Sequence, residues 1–401
     1  MTRARSVDKK TTTVDASSKV KITQIKTLQA GRYTYVKVCT DAGVTGIGEV
    51  HPASNTSGTL FTPAAAVRSC AEFLLGKDPT AIERNWQHLF RRSLFRGGSD
   101  AMAAIAGVDI ALWDIAGKLA NLPVYKLLGG PTREKVRLFA TLGTDRSPEA
   151  LVDRAREKVD QGFTAVRLNP LGDRRTFADM NFRTIVHTAE RYVAAVCEAV
   201  GDEVDVGIDV ICVLTPAEAI AVGHALEPYG LYFFEDPIEP DNIDAMADVA
   251  ARLPMPVATG ERLYTIHQFR ELLNRNAAAF VRPDPALAGG ITNCKKIATL
   301  AEASYVGVMP HNPLSPVLTA VGVQLCAAIH NVAALEYQPG EFDSSKRDLV
   351  REPLQFEDGY LIVPDKPGLG IELNEEAFVH YPPVPYVRPP IVGRDGALRE
   401  Y

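Results

Sequence analysis

Between Val136 and Glu336 the chain alternates short apolar runs with longer amphipathic stretches. The runs VRLFATL, TAVRLN, VDVGIDV, LYFFE, PVATGE, AFVRP, YVGVMPH and VAALE are rich in β-branched and aromatic residues. Such composition, bounded by turn-forming residues, predicts eight strands. Helices fall between them. Ser147-Pro148-Glu149 opens one with a cap, a proline at the first helical position and an early acid. Thr215-Pro216-Ala217-Glu218 opens another with a capping box, and a long helical pattern covers about Ala178 to Val200. The unit is strand then helix, repeated.

Polar residues punctuate this pattern at near-even spacing. Asp209, Glu235, Glu261, His311 and Glu336 each close an apolar run or lie beside its end, and Asp284 follows FVRP in the same way. Chemically able side chains at the C-terminal ends of six successive strands describe a site at the mouth of a (β/α) barrel.

The flanking sequence differs. VKITQIKTLQ and YTYVKVCT read as strands joined at Ala30-Gly31-Arg32, and GVTGIGEVHP reads as a glycine-rich mobile loop ending in Glu49 and His51. From Pro63 to Asn121 the pattern is helical. Its longest piece, SDAMAAIAGVDIALWDIAGKLAN, is apolar almost all round and is expected to be buried. Residues 21–135 are therefore expected to form an α+β domain and 136–349 the barrel. The proline-rich segment 350–401 is expected to pack back on the N-terminal domain, and the polar residues 1–20 to form a loose tail.

Composition narrows the function classes. A chain of 401 residues accommodates a barrel of about 250 residues and a second domain. The net charge of −6, without a basic stripe, argues against a nucleic-acid partner. Six cysteines lack any CxxC pair, which disfavours structural zinc and a disulfide scaffold. No apolar run has the length of a membrane span and the opening segment lacks an apolar core, so a cytoplasmic location is expected.

Alone, Asp209, Glu235 or Glu261 would be a solvated loop carboxylate. On the ends of three adjacent strands they converge, and such a cluster repels unless protons or a cation neutralise it. An all-oxygen donor set selects a hard cation, Mg²⁺ above others. His311 ends the seventh strand, and Asp284 on the sixth is placed to accept its second N–H, as a general base requires. Glu336 is expected to assist them, either as a carboxylate behind the site or, if protonated, as a donor to an oxyanion. A divalent ion beside a histidine base suits removal of the proton α to a carboxylate.

The stretches AIAGVDIALWDIAGKLANLPVYKLLGG (104–130), GIDV, FFEDP, ATGER, RPDPALAGGITNCKKIA and MPHNP resemble the mandelate racemase/muconate lactonizing branch of the enolase superfamily. The resemblance implies a (β/α)₇β barrel under an α+β capping domain. It implies Mg²⁺ ligands at Asp209, Glu235 and Glu261, a His–Asp dyad at His311 and Asp284, and a strand-eight acid at Glu336. Within that branch, DVICVLTPAEA and the tail RPPIVGRDGALREY resemble acid-sugar dehydratases of the galactonate and mannonate type. Such enzymes convert an aldonate to a 2-keto-3-deoxy acid, and relatives usually assemble as dimers to octamers. The expected partners are thus a small sugar acid and further copies of the chain.

Two positions depart from the pattern. Those dehydratases commonly carry a histidine two residues after the first metal ligand, where this chain has Ile211. If the strand continues, Ile211 shares a face with Asp209 and packs over the metal. Many relatives also carry Lys-x-Lys on strand two, where this chain has Arg167-Leu168-Asn169. Arginine stays protonated, so Arg167 is expected to bind substrate, with Asn169 offering hydrogen bonds. His311 is then the one strong base. It would both take the α-proton and return it to a departing 3-hydroxyl, a syn elimination. A racemase, epimerase or cycloisomerase would need a second base, and a third reading is a metal-binding relative without turnover. Substrate choice is expected from segments 43–52, 53–62 and 169–180, with His51, Arg174 and Arg175 as the reading groups.

Overall fold

Residues Ile22–Ala30 (β1) and Tyr33–Thr40 (β2) pair antiparallel through a tight turn at Gly31, and Thr45–Val50 (β3) pairs with β2. The segment read from sequence as a mobile loop is therefore mostly a strand. Its glycines are there for clearance, because a Cβ on Gly46 would lie 2.0 Å from the Ala111 carbonyl oxygen and one on Gly48 2.0 Å from that of Gly107. This sheet lies directly on the backbone of a helix, and only glycine allows that approach. The helix is Ser99–Ala120 (α3), preceded by Phe61–Leu74 (α1) and Ile82–Arg91 (α2) and followed by Val124–Leu127 (α4). Its buried residues cover most of its circumference, as its composition predicts.

The computed structural model describes residues 20–52, 61–92, 98–145, 147–172, 177–338, 340–341, 344–384 and 390–399. The expected tail, apart from Val20, and Arg174 and Arg175 lie outside these residues, as does most of 53–62.

The βα repeat follows in the order that the sequence predicts. It runs β4 (Lys135–Gly143), α5 (Pro148–Asp160), β5 (Ala165–Leu168), α6 (Phe182–Val200), β6 (Asp205–Asp209) and α7 (Pro216–Leu226). It continues through β7 (Phe233–Glu235), α8 (Ile243–Arg252), β8 (Val257–Thr259), α9 (Ile266–Asn274), β9 (Phe280–Val281) and α10 (Gly290–Ala303). β10 (Gly307–Val308), α11 (Pro316–Ala327) and β11 (Leu335–Tyr337) complete it. Ser147 caps α5, and Thr215 with Glu218 forms the capping box of α7. A second box, Thr265 with Gln268, opens α9.

Strands β4 to β10 pair in parallel in chain order, and β11 pairs in parallel with β4. A parallel bridge between Val308 and Val332 joins β10 to the approach to β11, so hydrogen bonds run round all eight strands. Alternation within β4 sorts its side chains. Leu138, Ala140 and Leu142 join the large core beneath the helices, whereas Phe139 joins a smaller buried cluster with Ala165, Phe233, Ala258, Met309 and Ala334.

The C-terminal segment touches both units. Its hairpin of Phe356–Glu357 (β12) and Tyr360–Ile362 (β13) adds antiparallel to β4, Gly368 bridges Pro123, and Val384 donates to the Gly31 carbonyl. The last hairpin, Ile391–Val392 (β14) with Leu398–Arg399 (β15), is tied by Arg394 to Asp179 beside the barrel mouth.

Buried bonds fix the N-terminal unit to the barrel. Trp86 Nε1 donates to the Gly289 carbonyl (2.7 Å) and Trp113 Nε1 to Thr292 Oγ1 (2.9 Å). Asp109 accepts from the Thr292 backbone and hydroxyl at 3.0 and 2.6 Å. Glu49 Oε2 accepts from Ser315 Oγ (2.8 Å) and the Leu318 N–H (3.1 Å). Among the described residues no helix is long and apolar enough to cross a membrane.

Candidate active site at the barrel mouth

Parallel registry brings the acids together. Asp209 and Glu235 are direct partners across β6 and β7, each the last residue of its strand. Glu261 follows β8, Asp284 follows β9, His311 follows β10, and Glu336 lies on β11. All six are buried or nearly so, Glu261 being the most accessible.

Two arginines thread this cluster. Arg167 Nη1 lies 2.6 Å from Glu235 Oε2 and 3.4 Å from Asp209 Oδ2, and its Nη2 lies 2.8 Å from Glu336 Oε1 and 3.1 Å from Thr141 Oγ1. Arg282, fully buried, is ion-paired to Glu235 and Glu336. The face of Phe139 lies beneath both guanidinium groups, at 5.6 Å from Arg167 and 5.2 Å from Arg282. Sequence reasoning turned Arg167 toward substrate; the structure turns its fork toward the acids. Arg282 was missed altogether, although an arginine ending the apolar run AFV was a legible signal.

The electrostatics follow from burial and charge count. Burial raises the Asp209 carboxyl to about 6 and the Glu235 carboxyl to about 7, although the arginines oppose the rise. Asp236, buried beside Glu261 and Glu235, is raised to about 7. Burial also opposes ionisation of Glu336, but Arg167 and Arg282 overcome it and hold that carboxyl well below the usual range. Glu336 further accepts from the Asn312 N–H (3.1 Å) and Gln338 Nε2 (2.6 Å). It is the ionised anchor of the network.

The dyad forms as the spacing predicts. His311 Nδ1 lies 2.9 Å from Asp284 Oδ2, while Asp284 Oδ1 accepts from the Ala286 N–H at 2.7 Å. His311 Nε2 faces Glu261 Oε2 at 3.2 Å. Burial disfavours the charged ring, but Glu261, Asp284 and Glu336 outweigh it and push His311 up to about 9. One nitrogen is thus held and the other is aimed at the acids.

Ile211 does not sit where a continuing strand would put it. β6 ends at Asp209, and Ile211 and Cys212 take φ of 55° and 61°, so strand alternation stops before either. The expectation of a shared face with Asp209 is corrected accordingly. The Ile211 N–H instead donates to Asp209 Oδ1 (2.8 Å). Its side chain lines a small recess with Asn169, Leu171, Phe177 and Ile391. Asn169 Oδ1 accepts from the Leu171 N–H (2.9 Å).

The donor set at Asp209, Glu235 and Glu261 is all oxygen, two of its members are paired across β6 and β7, and burial penalises their charge, so the chemistry of the set fits a hard divalent cation. Arg167 Nη1 stands between the first two. Among the described residues, the group of three His, Cys, Asp or Glu side chains whose ligating atoms all lie within 4.8 Å of one another is a different one: His51, Asp284 and His311.

Residues 150–377 match the enolase C-terminal domain-like family, and residues 8–129 the mandelate racemase/muconate lactonizing enzyme N-terminal domain. D-galactonate dehydratase of Variovorax paradoxus is 35% identical over 367 residues, covering 90% of this chain and 94% of its own. The same-named protein of Pectobacterium atrosepticum is 35% identical over 366 residues, with the same coverage. A crystal structure of an enolase from Agrobacterium radiobacter, described as a candidate galactarate dehydratase with Na and L-malate bound, is 32% identical. It superimposes with a TM-score of 0.87 over 95% of this chain and 100% of that one.

Proposed function

The chain belongs to the enolase superfamily, in its mandelate racemase/muconate lactonizing branch, and is an enzyme; from that premise we propose that it is a Mg²⁺-dependent dehydratase of a sugar acid, an aldonate or aldarate. The observation that supports this best is the aim of His311. Its Nδ1 is held by Asp284 at 2.9 Å while its Nε2 points toward the acid cluster, the side on which a chelated carboxylate would present its α-proton.

Asp209, Glu235 and Glu261 would hold the cation. When bound, it would neutralise the carboxylate oxygens as negative charge develops on the substrate, which makes the α-proton acidic enough to remove. His311 takes that proton, and Asp284 fixes the ring so that Nε2 is the accepting atom. Glu336, with Arg167 and Arg282, forms a charged floor that keeps the acids in register. Loss of the 3-hydroxyl as water, followed by tautomerisation, gives a 2-keto-3-deoxy acid. The racemase and epimerase alternative needs a base on the opposite face. Arg167 is committed to carboxylates there and Asn169 to the Leu171 N–H, so dehydration is the better reading.

A panel of mono- and diacid sugars, incubated with Mg²⁺ and assayed for 2-keto acid with semicarbazide, tests this. D-Galactonate and galactarate head the panel because relatives carry those names. Keto acid from at least one member is expected. Solvent exchange of the α-proton without any keto product would favour an epimerase, and silence in both would favour a metal-binding relative without turnover.

A further inference from the structure

A dehydratase needs a proton for the departing hydroxyl, and the residue that commonly supplies it is isoleucine here. We propose that His51, carried in from the capping unit, is that acid and works beside His311 on one face of the substrate. The assignment rests on the dehydratase reading above and adds a residue to it.

The geometry begins with β3. That strand ends at Val50, so the next residue projects from the cap toward the barrel mouth. The His51 backbone N–H donates to the Ala286 carbonyl (3.2 Å), two residues beyond Asp284, which pins this position over the end of β9. The imidazole is partly buried, with 19% of its side chain exposed. Its Nε2 lies 3.8 Å from Asp284 Oδ2, the oxygen that holds His311 Nδ1 at 2.9 Å. The two rings are 6.2 Å apart between centroids and inclined by 42°. A nitrogen of each ring lies within 4.8 Å of the other and of an Asp284 oxygen. Two imidazoles thus share one carboxylate on one side of the mouth, one supplied by the barrel and one by the cap.

That spacing fits a vicinal elimination. The α-hydrogen and the oxygen on the next carbon are one carbon–carbon bond apart at their roots. A base and an acid each at a hydrogen-bond reach of roughly 2.6–3.2 Å would therefore sit a few ångströms from one another. In the step itself, His311 takes the proton from Cα and the electron pair of that C–H bond becomes the new C2=C3 bond. The C3–O bond breaks with its pair on oxygen, and the imidazolium of His51 gives that oxygen a proton to release water. One proton leaves the substrate, one enters it, and no redox partner is required. Dividing the work between two rings spares His311 from delivering, within one turnover, the proton it has just taken.

The test uses the full chain with Mg²⁺ in D₂O, the aldonate that the wild type dehydrates, and the 3-deoxy-3-fluoro analogue of that aldonate. Fluoride departs without full protonation, so its loss bypasses a general acid. His51→Asn and His51→Gln are expected to keep α-proton exchange within about threefold, which also shows that the site is folded. They are expected to lose dehydration by about 10²–10⁴-fold and to release fluoride at close to the wild-type rate. Dehydration within threefold of wild type in both variants would overturn the assignment. So would a parallel fall of exchange, dehydration and fluoride release, which is the signature of a merely structural histidine. A wild-type chain silent toward exchange and elimination alike would overturn the dehydratase reading itself, and the His51 assignment with it.

Discussion

Arg167 and Glu235 form a buried ion pair, 2.6 Å from Nη1 to Oε2, at the point where the acids of β6 and β7 meet. The guanidinium thereby performs in the protein alone part of the neutralisation that a divalent ion would perform. Removing one partner of such a pair leaves an uncompensated buried charge, at a cost of about 3–5 kcal/mol. Arg167→Met is expected to lose stability on this scale in EDTA. Saturating Mg²⁺ should restore more of it than the same ion adds to wild type, because the acids freed of the Arg167 guanidinium would bind the cation more tightly, and stabilisation rises with the logarithm of affinity for the folded state. Urea denaturation of both proteins, with and without Mg²⁺, measures this. An equal Mg²⁺ effect in the two would refute it.

His311→Asn keeps a polar side chain but removes the imidazole proposed as the base. Exchange of the substrate α-proton in D₂O is expected to fall about 10²–10⁴-fold. Asp284→Asn leaves the ring in place without its orienting carboxylate and is expected to fall less. Proton NMR of the recovered substrate reads both, and an undiminished rate in His311→Asn would remove the base from the mechanism.

Stability is expected to decline with rising pH. Burial raises the carboxyl of Glu49 to about 8, against bonds from Ser315 and Leu318, and it raises Asp109 and Glu341 to about 7. These groups keep their protons in the folded chain, whereas the unfolded chain releases them near pH ~4. Between roughly pH 4 and 8 the unfolded state therefore binds fewer protons, and each group costs up to about 1.4 kcal/mol per pH unit across its own window. Their neutral forms carry no such cost at the acid end. Glu49→Gln is expected to flatten the slope most between pH 7 and 8, where the other two are already ionised. Denaturation midpoints at pH 5, 7 and 8 provide the check, and a rising slope would count against it.

Gly48→Ala is expected to wedge β3 away from α3, since its Cβ would meet the Gly107 carbonyl at 2.0 Å. Overpacking of this kind costs about 1–3 kcal/mol. The strand also carries Glu49 and leads to His51, so turnover should fall with the melting temperature. A stable but slower variant would show the same displacement at smaller scale; a variant unchanged in both would show that the sheet yields freely.

Ile211 holds a β-branched side chain at φ 55°. A left-handed backbone costs such a residue about 1–2 kcal/mol, and asparagine tolerates it better. Ile211→Asn is expected to raise the urea midpoint, because the backbone N–H that holds Asp209 is unaltered. A lower midpoint would mean that the apolar recess Ile211 lines with Phe177 and Ile391 favours isoleucine by more than the strain costs.

The barrel and its ring of acids were legible because strand periodicity forces a polar residue at a strand end toward the mouth. Asp209, Glu235, Asp284, His311 and Glu336 all follow from that rule. The partners of Arg167 were not legible, because its two possible directions, substrate or acids, differ only in side-chain rotamer. Glycines 46 and 48 were misread as looseness, since nothing local distinguishes a glycine that bends from one that clears a neighbouring helix. Ile211 was placed by extending a strand past its end, an error of two residues that changed the direction of a side chain. The approach of His51 to Asp284 joins cap to barrel, and no periodicity along the chain encodes a contact of that range.

The two tryptophans add an experimental handle. Trp86 and Trp113 are the only ones in the chain, and both indoles donate across the seam between cap and barrel, to Gly289 and Thr292. The intrinsic fluorescence of this protein is therefore a native reporter of that seam. Excitation at the indole band would record docking of the cap during refolding, and any loosening during turnover, without an added label.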